Sequence, residues 1–472
     1  MAYPHKINLH ERLNIQDLQA RISGVVLTPD DPEYEQARQP WNRTTDQHPA
    51  LILLPDNTQD VIAAVQFARE NDLGVGIQST GHGLHVPSDD NLLILTSRLK
   101  QVSVDVEKRI VRAEAGALWE DVLAVVTPHD LAPLLGSSPW VGVVGYSLGG
   151  GIGWLARHYG LAVDSVHAVE IVTPDGSLRR ASADENSDLF WGLRGGGGGN
   201  FGAITALEFT VYPVASLYGG FLIYPGEMAA DAFRFFRDWT RNLPDEVTSS
   251  IGVMRFPNIP MVPEAMRGQI QVVVRAAYSG ADMRQGAMWI QPWLDWQAPS
   301  ASTFRVMPFS EVGTISNDPK EPSSGTGSHA MLNTLSDEAI DLIVKYTTHP
   351  DGPLFMTEIR HAGGAIHRAA PDTSAVSHRD AEYYLQMAGM APTPEIYSTV
   401  HAYMQTYKAA LKPHLHSGVY LNFLTGKEAR TRAKDGYLPE TYERLLALKA
   451  QYDPENRFRY GYQLISAETE SA

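Results

Sequence analysis

Gly142-Val143-Val144-Gly145-Tyr146-Ser147-Leu148-Gly149-Gly150-Gly151-Ile152-Gly153 is the stretch on which the fold turns, because two incompatible architectures can use it. Its middle, Gly145-Tyr146-Ser147-Leu148-Gly149, fits the G-x-S-x-G nucleophile elbow of α/β-hydrolases, with 141–144 as the strand before it. An elbow has to launch a helix. Here Gly149, Gly150, Gly151 and Gly153 follow Ser147, and glycine costs about 1 kcal/mol relative to alanine at each helical position. No HGGG-type oxyanion segment lies at the right place upstream. A serine hydrolase with Ser147 as nucleophile is therefore the alternative reading. In the leading one, glycine lets the backbone approach a ligand closely and lets successive N–H groups converge on an anion.

Two further glycine clusters flank this one: Gly81 and Gly83 around His82, and the run from Gly195 to Gly202. Gly197, Gly199 and Gly202 formally satisfy G-x-G-x-x-G. A dinucleotide fingerprint needs a strand before it, a helix launched within it and an acidic residue about 20 positions on. Here the helical Phe190-Trp191-Gly192-Leu193 precedes and an alternating strand over 203–212 follows, so the context fails. Any one cluster is equally a tight turn or a dense contact. Three in one half of the chain point to a phosphorylated cofactor.

Around the clusters, short strands and helices alternate. Residues 50–54 form an apolar strand. Asp56, Asn57 and Thr58 offer caps for a helix with the stripe Val61, Val65 and Ala68, which stops near Gly74. A second strand over 74–77 runs into the turn-rich 78–87, and 92–96 is a third. Hairpins are expected over 102–113 and over 168–181, the latter turning at Pro174-Asp175-Gly176. Residues 118–126 and 188–193 read as helical. Pro213 closes this block, and 214–416 carries more aromatics, prolines and histidines. Residues 316–328 read as a Pro/Gly/Ser loop, and the last stretch is compact up to a polar tail at 466–472.

The bulk numbers agree with a globular protein of two domains or one large composite unit: 472 residues, 43% hydrophobic and 19% charged. A net charge of -16 disfavours nucleic acid. The absence of cysteine excludes disulfides, thiolate metal sites and any cysteinyl cofactor bond. No apolar run approaches the ~20 residues of a membrane span, and the first residues carry no apolar signal core. A cytoplasmic protein without a membrane or nucleic-acid partner is expected. The histidines are too scattered for a metal site.

Taken in chain order, the motifs resemble the berberine-bridge-enzyme-like branch of the vanillyl-alcohol-oxidase flavoproteins. Ser79-Thr80-Gly81-His82-Gly83 resembles R-x-G-G-H-x. Glu114-Ala115-Gly116 with Leu118-Trp119 is similar to A-G-x-x-W-x-x-V. The 142–154 stretch, continued by Tyr159-Gly160-Leu161-Ala162-Val163-Asp164, resembles G-V-x-G-x-x-L-G-G-G-x-G. Asp188-Leu189-Phe190-Trp191 through Gly202 resembles D-L-F-W-A-L-R-G-G-G-G-N-F-G. Tyr420-Leu421-Asn422-Phe423 resembles Y-x-N-[YF], and Tyr452-Asp453-Pro454-Glu455-Asn456-Arg457-Phe458 resembles Y-D-P-x-N-x-F.

The resemblance implies an α+β fold: a two-subdomain PCMH-type FAD-binding unit, residues 1–212 and 418–472, around a substrate domain, 213–417, with an antiparallel sheet covered by helices. It implies FAD, held covalently by His82 at the flavin 8α carbon. Gln78 stands where arginine is common, and His85 is the neighbouring histidine. The expected cradle is Ser79, Thr80, Gly81 and Gly83 with Gly145, Tyr146, Ser147, Gly149, Gly150 and Gly151. Gly116, Ser138, Val141, Gly142, Gly202, Ile204 and Asn422 complete the cofactor contacts. Ser138 matches the place of a second, cysteinyl link, which this chain cannot form. Val141 matches a position where a small residue leaves the flavin open to O2, so the resemblance favours an oxidase that yields hydrogen peroxide.

Tyr420 is expected to approach the flavin. Phe423 stands where some members carry a tyrosine base, so the base must come from elsewhere. Glu358, in Thr357-Glu358-Ile359-Arg360-His361, is the candidate. Alternation places Glu358 and Arg360 on one face of a strand and His361 on the other. Pairing of Glu358 with Arg360 is the competing structural role. His378-Arg379 reads as architectural. A small alcohol, amine, sugar or natural-product intermediate is the expected substrate. Trp289, Trp293 and Trp296 are core residues or platforms for a flat ligand. A flavin- or ligand-binding protein without catalysis is the third possibility, and oligomeric state is not readable.

Overall fold

The computed structural model describes residues 9–83, 86–256, 258, 264–462 and 464. His85 lies outside them. Three sheets organise the chain. The first contains β1 (Val25–Leu27), β2 (Leu51–Leu54), β3 (Val75–Gln78) and β4 (Leu92–Leu95) in the order β1-β2-β4-β3. β2, β4 and β3 are parallel, and β1 runs antiparallel to β2. Parallel neighbours need a crossover, supplied between β2 and β3 by the helix Thr58–Glu70. Asn57 caps it, its side-chain oxygen accepting from the N–H of Gln59 at 2.8 Å and of Asp60 at 3.1 Å. Val61, Val65 and Ala68 are its buried stripe.

The second sheet is antiparallel: β5 (Val102–Asp105), β6 (Ile110–Glu114), β7 (Val166–Val172), β8 (Leu178–Ser182) and β9 (Ala203–Thr210), ordered β5-β6-β9-β7-β8. Both expected hairpins form, and Gly176 takes φ +79° in the second turn. Residues from the end of the chain complete this core: Leu421, Tyr437, Leu445 and Tyr462 are buried in one cluster with Trp119 and Phe209. The Tyr452–Phe458 motif closes around the buried Asp453, which accepts from Lys449 Nζ at 2.6 Å and from the N–H of Arg457 and Phe458 at 2.9 and 2.8 Å. Lys449 also donates to the carbonyl of Asn200 at 2.8 Å, tying the third glycine cluster to the chain's end.

The third sheet holds β10 (Ser216–Pro225), β11 (Val247–Arg255), β12 (Ile270–Tyr278), β13 (Ala301–Ser302), β14 (Arg305–Pro308), β15 (Gly325–Leu332), β16 (Leu354–His361) and β17 (Tyr383–Met390). Its order is β13-β10-β12-β11-β16-β17-β15, with β14 also on β10, and all pairs are antiparallel. One face is apolar: Val274, Ile251, Ile359, Leu385 and Ala330 lie in register and bury against Phe233, Ile340 and Met404 of the covering helices. The other face is polar. Arg275, Ser250, Arg360 and Tyr384 form one cross-strand row, and Glu358, Gln386 and His329 another.

One local expectation changes, and two others gain detail. The segment read as loop over 316–328 gives its last four residues to β15, because pairing with β17 outweighs the low strand preference of glycine and serine. The helix Ser187–Gly196 breaks at Arg194 and Gly195, where Gly195 takes φ +114°. Trp293 and Trp296 sit in the helix Met283–Trp296 and pack with Phe235 and Tyr224. They belong to the apolar core, away from the polar face. Trp289 accepts at its carbonyl from Trp239 Nε1 and packs with the same helical layer.

Candidate active site

β3 delivers the first loop. Gln78 at its end accepts from Gln47 Nε2 at 2.9 Å. The carbonyls of Thr80 and Gly81 accept from the N–H of Trp41 at 2.9 Å and Asn42 at 3.2 Å, which fixes the turn. Gly81 has φ +78°, and a Cβ there would stand 2.5 Å from Pro40. The His82 ring stacks on Trp41 with centroids 4.2 Å apart, and its Nδ1 lies 2.7 Å from Thr80 Oγ1. Burial lowers the His82 pKa to about 4, so at neutral pH the ring keeps an unprotonated nitrogen. The Ser79 hydroxyl is buried without a partner among the described residues. A cavity of about 360 Å³ opens beside the loop, lined in part by Gln78, Ser79, Thr80, Leu95 and Ser97.

The decisive glycine stretch packs directly on this loop, for a Cβ on Gly142 would come within 2.8 Å of Ser79 Oγ. Val143 N–H donates to the Ala117 carbonyl and Trp119 N–H to that of Val141, both at 3.1 Å, so the stretch is pinned to the Gly116 turn. Gly116 has no room for a side chain, since a Cβ would lie 1.9 Å from the Thr96 carbonyl. Contrary to the elbow reading, Val143–Leu148 is itself a helix, and Ser147 is buried inside it rather than exposed at a strand-to-helix turn. Gly149 to Gly151 are not an open anion nest either. Their N–H groups donate to Gly145 O at 3.3 Å, Ser147 O at 3.1 Å and Tyr420 Oη at 2.5 Å. A Cβ on Gly149 would meet Asn422 Oδ1 at 1.9 Å, and one on Gly150 the Tyr420 ring at 2.7 Å. Glycine is needed so that Tyr420 and Asn422 can lie on this backbone.

What remains open is Gly145, with nothing within 4 Å of a Cβ. Its N–H is in the first helical turn, where no intrahelical acceptor exists. Tyr146 follows it, with a hydroxyl that has no partner among the described residues, and Asn422 Nδ2 holds the Tyr146 carbonyl at 2.9 Å. Gly199, missed as a contact because its cluster reads as a failed fingerprint, also has nothing within 4 Å. Gly202 is structural, a Cβ there lying 2.3 Å from the Val172 carbonyl, and Ile204 is buried in the second core. Ser138 Oγ accepts from Trp140 N–H at 3.3 Å, and Val141 is half-buried. Unsatisfied hydroxyls and glycine faces without a neighbour thus fit a polar, phosphate-bearing cofactor running from the Ser79 loop past Gly145.

The polar face of the third sheet meets this layer. Tyr420 touches Tyr384 and Phe423, with ring centroids at 5.4 and 4.9 Å. Its oxygen accepts from Gly151 N–H and faces Asn422 Nδ2 at 3.5 Å, while burial pushes its pKa up to about 12. Glu358 is fully committed. Oε1 accepts from Ser250 Oγ at 2.9 Å and Arg275 Nη1 at 3.2 Å, and Oε2 from Arg360 Nε at 2.8 Å. Burial alone would raise its pKa, but Arg360 and Arg275 outweigh it and hold the carboxyl below its ordinary value. That corrects its reading as a free base: both oxygens serve two guanidiniums. His361 points the other way, to Arg157 Nη1 at 3.1 Å. Arg379 bonds Asp164 at 2.6 and 3.0 Å, an architectural tie. Arg275, Ser250, Gln386 and the fully buried His329 escaped the sequence reading. Alternation along each strand was their only signal, and it does not say which face meets the cofactor.

A family model described as FAD binding domain matches residues 49–182, and one described as Berberine and berberine like matches 419–461. An uncharacterised FAD-linked oxidoreductase, YgaK of Bacillus subtilis, is 28% identical over 93% of this chain and 96% of its own. The (R)-6-hydroxynicotine oxidase of Paenarthrobacter nicotinovorans is 27% identical over 94% of this chain and 97% of its own. The solved structure of Physcomitrella patens BBE-like 1 superimposes with a TM-score of 0.83, at 20% identity, covering 96% of this chain and 99% of that one. The fold and the matched segments define an FAD-linked oxidoreductase. The chain carries the FAD-binding and berberine-like segments of these two family models and shares the fold of BBE-like proteins.

Proposed function

We propose that this protein is an oxidase of a small organic substrate, with FAD attached through His82 alone and O2 as the electron acceptor. The observation that carries it is the meeting of the Ser79–Gly83 loop, Gly145 and Tyr420 under the polar face of the third sheet. FAD, when bound, accepts the hydride and returns the electrons to dioxygen as hydrogen peroxide. His82 holds it by an imidazole nitrogen, kept neutral by burial and aimed by Thr80 and Trp41. A second thioether link is excluded because the chain has no cysteine. Ser79, Gly145 and Gly199 are the contacts left to the cofactor, and Val141 leaves its face accessible to O2.

Tyr420 is the group that hydrogen-bonds the substrate beside the flavin. Burial keeps it a phenol at neutral pH, although the Gly151 N–H and Asn422 that face its oxygen lower its pKa in part. Arg360 works in the same direction. Glu358 acts through Arg360, as a positioning residue. Residues 1–212 and 418–472 form the cofactor part of this reading, and 213–417 the substrate part. Related proteins include a hydroxynicotine oxidase, which keeps amines in the candidate class beside alcohols and sugars. A peroxide assay over alcohols, amines and sugars tests the oxidase: at least one should give peroxide in step with O2 uptake. Turnover only with an artificial acceptor would make it a dehydrogenase.

A further inference from the structure

Two guanidiniums share one carboxylate at the polar face. Glu358 neutralises one positive charge, and Arg275 and Arg360 bring two. Arg275 is buried, with Nη1 on Glu358, Nη2 on Met254 Sδ at 3.2 Å and Nε without a partner among the described residues. Arg360 differs. Only its Nε is bonded among the described residues, so the Nη1/Nη2 edge of its planar fork is unused. Its Cζ lies 5.0 Å over the Phe423 ring, which holds the guanidinium flat. Arg360 lines a narrow cavity together with Ser249, Ser250, Ile152 and Trp154. Asp318 acts on Arg360 through space only, from an exposed position.

An uncompensated charge removed from water is costly unless a counter-ion joins it. The free fork of an arginine matches a carboxylate bidentately. We propose that the substrate is a carboxylate, and that Arg360, held by Glu358 and Phe423, pairs with that carboxylate while the oxidised carbon is presented beside Tyr420. The proposal rests on the oxidoreductase reading and adds to it the chemical class of the substrate. Arg360 is thereby a specificity-determining residue, and Glu358 sets its direction.

The test uses the flavin-loaded protein and the absorbance change of oxidised flavin on titration. Benzoate, phenylacetate and butyrate are compared with benzamide, phenylacetamide and butyramide. At least one carboxylate should bind about tenfold or more tighter than its amide, the value of one charge-assisted contact. Arg360→Gln should erase that preference with the flavin spectrum intact, and Arg360→Lys should keep part of it. Equal binding of carboxylates and amides by the wild type, no carboxylate binding at all, or an undiminished preference in Arg360→Gln would each overturn the proposal. The wild-type comparison stands even where a variant fails to fold. Loss of flavin colour in the wild type is a separate result, directed at the oxidoreductase reading.

Discussion

His82 stands out in the sequence through its motif neighbours, and the structure adds a ring stacked on Trp41 whose pKa burial lowers to about 4, which suits the proposed attachment. His82→Ala should fold and bind FAD reversibly, with the flavin released on acid precipitation and visible in the supernatant. Val141→Leu should slow reoxidation of reduced flavin by O2 in stopped-flow absorbance, with substrate reduction little changed. The pairing of Glu358 with Arg360 was legible, but its second guanidinium was not. A single sequence shows that Glu358 and Arg360 share a face, whereas Arg275 lies four strands earlier in the chain and is joined only by sheet register. Glu358→Gln leaves Arg275 and Arg360 without their counter-charge. Its kcat/KM should fall roughly ten- to a hundredfold, as expected for a charged hydrogen bond, through KM more than kcat.

At the scale of elements, the short strands and both hairpins were readable because turn chemistry and alternation agree there, as at Pro174-Asp175-Gly176. The glycine stretch was not. Its sequence says only that side chains are excluded, and what excludes them is Tyr420 and Asn422, some 270 residues away in the chain. A nest of free N–H groups and a bed for a distant tyrosine are written in the same glycines. The C-terminal Tyr420-Leu421-Asn422 turn thus acts as one piece with Gly149–Gly151. Tyr420→Phe removes the acceptor for the Gly151 N–H and the proposed hydrogen bond to substrate together. It should lower kcat about 10²-fold or more and leave the flavin bound, measured by steady-state kinetics against absorbance. A kcat near wild type would assign Tyr420 to packing alone.

The whole molecule carries buried histidines that titrate against the fold. His329 has a pKa lowered to about 3 and His361 one well below the ordinary 6.5, both chiefly by burial. The unfolded chain therefore binds more protons than the folded one below pH 6.5. Their contribution is complete above that value and is lost as pH falls toward the folded-state pKa values, roughly 1 kcal/mol per histidine between pH 6.5 and 5.5. Denaturant unfolding at the two pH values should show this loss, and His329→Asn should reduce it by about half. On the largest scale, the proposed assembly has the first and second sheets, closed by the chain's end, hold a flavin fixed at His82 beneath the polar face of the third. The direct measurement is the visible spectrum of the purified protein, repeated on pellet and supernatant after acid precipitation. Yellow retained in the pellet is the expected result. Yellow released into the supernatant would contradict the covalent bond, and a colourless protein that FAD does not reconstitute would contradict the account as a whole.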